Sequence, residues 1–204
     1  MAGCAMNEPI RNLLLIMFGV TLLNACSPSG KATAPPPLAN ARIGGPFTLT
    51  DQDGQRVRDT AFAGKYRIIY FGYTFCPDVC PVDVQNLAQG LRVLEKSDPA
   101  LAAQVVPIFI SVDPARDTPA VLKQFVAAFH PHMVGLTGSA ADIAGVAKEY
   151  AIFYQAQAPN AQGGYTVDHS RVAYLFGKKG EPLALLRHDG TPEQIAADIK
   201  QWAR

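Results

Sequence analysis

Cysteine is scarce in this chain: 204 residues carry four, at positions 4, 26, 76 and 80. That is too few for a disulfide framework, so the fold must rest on its core. Charge of one sign is also missing. Lys and Arg number 18 against 17 Asp and Glu, a net charge of +1, which leaves no electrostatic footprint for nucleic acid and no acidic or basic tail. The apolar run Leu13–Leu23 stops short of the roughly 20 residues a spanning helix needs. No internal repeat is visible. What is present is an ordinary hydrophobic fraction of 49%, enough for one domain plus a leader in a chain of this length.

Arg11, the short apolar run and small residues after it follow the layout of a secretory signal. The run ends in Leu23-Asn24-Ala25-Cys26, which resembles the lipobox of bacterial lipoproteins. That resemblance implies a signal peptide over 1–25 and a lipidated Cys26; an uncleaved signal anchor is the alternative. Either way the domain is exported and membrane-anchored, facing the bacterial periplasm or the cell exterior. Residues 26–42 read as the lipidated cysteine and a Pro-rich linker, with Ala34-Pro35-Pro36-Pro37 favouring extended geometry. Extended, the linker would reach on the order of 40–50 Å at about 3.1 Å per residue.

The domain is expected over 43–204. Phe47–Thr50 and Gln55–Val57, joined by Asp51-Gln52-Asp53-Gly54, read as an N-terminal β-hairpin. Residues 67–72 predict a buried strand, and 82–95 a helix with Val84, Leu87, Leu91 and Leu94 on one stripe. A second apolar run over 104–112 is long enough for a central strand, with Pro107 a blemish because proline removes a ladder hydrogen bond and suits an edge or a strand start. Thr118-Pro119 opens a helix to Phe129, and Gly138-Ser139 another to about Tyr150. Arg171–Gly177 and Pro182–Arg187 predict a terminal hairpin, and Thr191-Pro192-Glu193 caps a last helix ending at Trp202. This order describes an α/β domain of thioredoxin type.

With Cys4 in the leader and Cys26 lipidated, the soluble domain keeps Cys76 and Cys80. A ring spanning so few residues constrains the unfolded chain little, so the pair is better explained by reactivity or ligation than by stability. If a helix starts at the pair, positions i and i+4 share a face and both sulfurs can reach one atom. Helix N-termini also favour thiolate. A soft metal or a redox partner suits such a site.

Other candidates have plain structural readings beside the functional ones. His169, one of four histidines, reads on sequence alone as a surface-exposed or hydrogen-bonded structural residue, and Asp168 would either orient an imidazole as an acceptor or face solvent. Asp78 sits between the cysteines, where it would tune thiolate charge or simply favour a helix start. Asp113, Arg116 and Asp117 form either a salt-bridged loop under the site or a solvated turn, and turn chemistry favours the latter. His130-Pro131-His132-Met133 offers three possible metal ligands but reads as a helix end. His188 reads as a turn residue. Tyr70, Phe71, Tyr73 and Phe75 alternate like strand residues, with any exposed member available to a docking rim.

Tyr70-Phe71-Gly72-Tyr73-Thr74-Phe75-Cys76-Pro77-Asp78-Val79-Cys80-Pro81 resembles the Sco/SenC family. So do Ser111–Pro119, Gly135-Leu136-Thr137-Gly138 and Tyr165-Thr166-Val167-Asp168-His169-Ser170. The resemblance runs from about Gly44 to Trp202. It implies a thioredoxin-like fold with the N-terminal β-hairpin and a family-type insertion, and one copper ion, Cu(I) or Cu(II), held by Cys76, Cys80 and His169. It further implies a chaperone for the copper A centre of a cytochrome c oxidase subunit, or one serving another copper chaperone. Thiolates select Cu(I) and imidazole suits both copper states, in keeping with that ligand set. The alternative role is a thiol–disulfide oxidoreductase that reduces partner cysteines, so an enzymatic activity stays open.

Overall fold

Tyr66–Gly72 is an unbroken run of buried residues, and it becomes the central strand. A strand hydrophobic on both faces belongs in the middle of a sheet. The computed structural model describes residues 34–204, so the signal, lipid-anchor and upstream linker readings lie outside the described residues. Within this part, strands β1 (Thr48–Asp51) and β2 (Arg56–Arg58) form the expected hairpin and precede β3 (Tyr66–Gly72). Helix α1 (Val79–Ser97), the short α2 (Pro99–Ala102), β4 (Val105–Ser111), α3 (Pro119–Phe129), β5 (Val134–Thr137) and α4 (Ala140–Glu149) follow. A separate ribbon of β6 (Tyr154–Ala156) and β7 (Val167–His169) comes next. The chain closes with β8 (Ala173–Phe176), β9 (Pro182–Leu186) and α5 (Pro192–Trp202).

The main sheet has the order β2-β1-β5-β4-β3-β8-β9. β3 and β4 run parallel, as do β4 and β5, while β8 lies antiparallel on the other side of β3. This mixed α/β sheet with five helices is the thioredoxin-like architecture the element order implied. The α1 stripe of Val84, Leu87, Leu91 and Leu94 is buried as expected, and α1 packs against α5. Thr118, Ser139 and Thr191 cap α3, α4 and α5 by accepting backbone N–H bonds.

The run over 104–112 forms the central strand its length allows, and two other expectations are corrected. Pro107 lies within that inner strand. The β4–β5 ladder begins only at Ile108 opposite Val134, so at Pro107 the strand has a neighbour on one side alone and the missing N–H is tolerated. The folded unit begins at Pro35 and takes in residues 35–42, which read as extended linker. Residues 37–40 turn, the Leu38 N–H donates to the Leu183 carbonyl at 3.0 Å, and Leu38 packs on the core. Finally, α1 starts at Val79 and places Pro81 in its first turn, where a proline N–H would be unpaired anyway.

Candidate metal centre

The end of β3 delivers the chain into a tight loop, and α1 begins between the two cysteines. Cys76 therefore precedes the helix and does not share its face with Cys80. Its sulfur instead caps the helix from outside: the Cys80 N–H points at Cys76 Sγ at 3.5 Å. Burial alone would raise the Cys76 pKa, but the N–H groups of Cys80, Asp78 and Val79 and the Cys80 thiol outweigh it and lower it. Cys80 lies in the first turn and is wholly buried. Burial pushes its thiol well up, aided by the neighbouring sulfur of Cys76 and the Asp83 carboxylate. The two cysteines are free thiols, and their charge states lean in opposite directions.

His169 ends β7, where it pairs with Tyr154, and its Nε2 lies 3.1 Å from Cys80 Sγ. Its Nδ1 faces the Ser170 carbonyl at 3.1 Å. A carbonyl only accepts, so Nδ1 carries the proton and Nε2 presents a lone pair to the sulfur. Burial lowers the pKa of the ring, which keeps it neutral near pH 7. Tyr70 and Tyr73 meet it edge-on, at 6.3 Å and 86° and at 6.0 Å and 90°. The three residues singled out in the sequence thus meet at one place. Their donor set, two sulfurs and an imidazole nitrogen, is soft and suits copper. Among the described residues no group of three or more His, Cys, Asp or Glu is already closed into a metal-holding geometry, so the sulfurs would have to adjust on binding.

Asp168 does not orient the imidazole. It is exposed and accepts from Gln157 Nε2 at 2.6 Å; the Ser170 carbonyl has that task. Asp78 occupies the N-cap of α1 but makes no capping bond. The solvated-turn reading of 113–117 is overturned, because Asp113 and Asp117 are buried. Asp117 accepts from the Thr74 N–H at 3.0 Å, Thr74 Oγ1 at 2.6 Å and Ser111 Oγ at 2.6 Å. Arg116 pairs with Asp113 at 2.5 Å, donates to the Tyr165 carbonyl, and stacks 3.6 Å from the Tyr165 ring centroid.

His130 is buried at the end of α3. Its Nδ1 accepts the His132 N–H at 3.2 Å and its Nε2 faces Glu95 at 3.2 Å, so both nitrogens are engaged and the helix-end reading holds. His188 approaches Asp83 at 3.7 Å and belongs to a polar cluster under the site. Tyr70, Phe71 and Tyr73 are core residues, while Phe75 is 52% exposed beside Cys76.

Sequence reasoning missed that cluster. Asp83 is wholly buried on α1, and Arg171 and Tyr70 both donate to it. The available signal was position: Asp83 falls on the same stripe as Cys80, Val84 and Leu87, where an acid must find a buried partner.

A thioredoxin-like domain with a thiol pair at a helix start and an imidazole on one sulfur defines a class of protein that handles soft metals or thiols. Residues 35–204 match the family model SCO1/SenC, and the chain belongs to that family. It is 40% identical over 161 residues to protein SenC of Rhodobacter capsulatus, covering 79% of this chain and 71% of the relative. It is 43% identical over 141 residues to the mitochondrial protein SCO1 homolog 1 of Arabidopsis thaliana, covering 69% of this chain but 41% of that longer relative. Among solved structures, copper-bound ScoI of Bradyrhizobium japonicum superposes with a TM-score of 0.71 at 44% identity, covering 78% of this chain and 99% of that one. BsSco superposes with a TM-score of 0.60 at 28% identity, covering 78% and 92%; it is described as having a disulfide switch and as a member of the Sco family of cytochrome c oxidase assembly proteins.

Proposed function

We propose that this protein is a copper chaperone that holds one copper ion through Cys76, Cys80 and His169 and assists metallation of the copper A centre of a cytochrome c oxidase subunit. The observation that carries this reading is the 3.1 Å approach of His169 Nε2 to Cys80 Sγ, with Cys76 beside it. A plain dithiol has no need of a neutral imidazole aimed at its buried sulfur. The copper bound to the ScoI relative and the oxidase-assembly role given for the BsSco relative support it. The exposed Phe75 next to Cys76 and the exposed Phe153 beside Ser170 give the site an apolar rim for a docking partner. Tethering to a membrane on the outer side of the cell, through lipidated Cys26 or a signal anchor, belongs to the same reading. Among the described residues no helix is long and apolar enough to cross a membrane.

A second reading, a thiol–disulfide oxidoreductase, draws on the asymmetry of the pair. Cys76 is partly exposed with a lowered pKa, as an attacking thiol should be, and Cys80 is the buried partner. The deciding experiment measures copper stoichiometry and affinity of the reduced protein against Cys76→Ala, Cys80→Ala and His169→Ala. His169→Ala is expected to weaken copper on the order of 100-fold or more, beyond the roughly 10–100-fold that outer hydrogen-bond partners command, while the disulfide still forms. Full copper affinity in that variant would sink the three-ligand model. No copper binding by the parent would leave the oxidoreductase.

A further inference from the structure

Asp83 lies one helical turn beyond Cys80 on α1 and is wholly buried. Arg171 lies in the link from β7 to β8, just past His169. The Arg171 fork meets the carboxylate with both arms, Nη2 to Oδ1 at 2.7 Å and Nε to Oδ2 at 2.9 Å. Tyr70 Oη on β3 donates to Oδ2 at 2.8 Å, and His188 Nε2 stands 3.7 Å from the same oxygen. One carboxylate on the Cys80 helix therefore gathers β3, the His169 strand and the turn before α5.

We propose that Asp83 and Arg171 are positioning residues for the metal centre: their fork locks the His169 strand onto the helix that carries Cys80. The clamp sets the distance between Cys80 Sγ and His169 Nε2 before any metal arrives. This rests on the reading of Cys76, Cys80 and His169 as copper ligands. A buried ion pair adds little stability over an apolar pair of the same volume, and the Arg171 side chain is 44% exposed. What a bidentate pair supplies is orientation, because two parallel bonds to a planar carboxylate fix angle as well as distance. The orientation is passed on directly. Tyr70, held by Asp83, is also one of the two rings that meet His169 edge-on, and Ser170, between His169 and Arg171, supplies the carbonyl that faces Nδ1.

The test is a cycle on the reduced full chain, with Cu(I) affinity read by competition against a chelator in the parent, Arg171→Gln, Arg171→Lys, His169→Ala and the double variant Arg171→Gln/His169→Ala. Arg171→Gln is expected to weaken copper about 10–100-fold. Arg171→Lys, a point charge without the fork, should fall between it and the parent. The double variant should bind no more weakly than His169→Ala, because the clamp acts through the imidazole. An equal loss in both backgrounds, or none in either, overturns the proposal. A metal-free arm follows alkylation of Cys80: Arg171→Gln should speed it by uncovering the sulfur, with no further gain in the His169→Ala background. If the parent binds no copper, the ligand reading fails, and the clamp is judged by alkylation alone, where an unchanged rate refutes it. Should Arg171→Gln fail to fold, the Lys variant decides by the same two readouts.

Discussion

Gly72, the last residue of β3, is where a single methyl group reports on the whole centre. A Cβ built there would stand 3.1 Å from Cys80 Sγ, 3.0 Å from Tyr70 Cε1 and 3.1 Å from Phe109 Cε2. Comfortable carbon contacts lie at about 3.5–4.0 Å, so the methyl would intrude by roughly half an ångström on three sides. None of the three neighbours can give way cheaply. Cys80 is wholly buried against His169, and Tyr70 and Phe109 are 2% and 1% exposed and stacked on each other at 6.3 Å. Gly72 has no left-handed backbone to protect, so alanine brings no conformational strain and the sign is set by sterics alone. Gly72→Ala should therefore destabilise by about 1–3 kcal/mol, the usual range for overpacking a filled core. At about 2–4 °C per kcal/mol for a domain of this size, that is a visible drop in Tm. Copper affinity should fall as well, because the easiest relief moves Cys80 Sγ relative to His169. Denaturant titration of the metal-free protein and chelator competition on the reduced protein measure the two effects. A variant with parental stability and parental copper affinity would refute the packing argument.

Two further outcomes follow from charge states. Iodoacetamide near pH 7 should label Cys76 at least roughly tenfold faster than Cys80, since each unit of pKa separation is about a tenfold difference in thiolate and only part of it is offset by lower nucleophilicity; equal labelling by peptide mass spectrometry would contradict the asymmetry. Burial lowers the pKa of His130, with Glu95 opposing in part, so the unfolded chain takes up a proton near pH 6.5 that the folded chain resists. Stability should hold above that pH and decline as the pH falls below it. Urea midpoints of the parent between pH 8 and 5 should show that slope, and His130→Gln should lack its share; parallel curves would remove His130 as the cause.

The elements were legible in the sequence because their signals are local. Thr118-Pro119, Ser139 and Thr191-Pro192 are caps wherever they stand, and the β3 run could only be an inner strand. The cysteine pair was legible for the same reason. His169 needed the family resemblance, since nothing local says that a ribbon far along the chain folds back onto Cys80. Asp83 and Arg171 were not legible as a pair, because an acid in the first turns of a helix reads as a favourable charge near its N-terminus until its partner is known. Asp113 and Asp117 failed in the same way. Asp and Pro form solvated turns by default, and only donors from Thr74, Ser111, Arg116 and Tyr165 turn this one inward. The blemish at Pro107 is tolerated in that central strand because the rule against inner-strand proline assumes neighbours on both sides, and the β5 ladder has not yet begun there.

Three buried carboxylates around two thiols need a physical reason, because each costs free energy to desolvate and Asp83 also opposes thiolate formation at Cys80. Their partners supply it. Asp117 ties Thr74, in the cysteine loop, to Ser111 at the end of β4. Asp113 holds Arg116 and accepts from Tyr165 Oη at 2.8 Å, which binds the β4–α3 turn to the segment before β7. Asp83 joins the Cys80 helix to Arg171 in the link that follows the strand of His169. Asp113–Arg116 and Ser111–Asp117 brace the β4–α3 turn itself, while Thr74–Asp117, Tyr165–Asp113 and Arg171–Asp83 each link segments far apart in the chain. A centre whose donors come from two distant stretches of chain has no covalent means of holding them together, and a disulfide framework would consume the thiols it needs. Buried acceptors that each collect donors from separate loops do the same task without using sulfur. On the copper-chaperone reading, that frame holds the donor-bearing segments together while leaving both sulfurs unlinked.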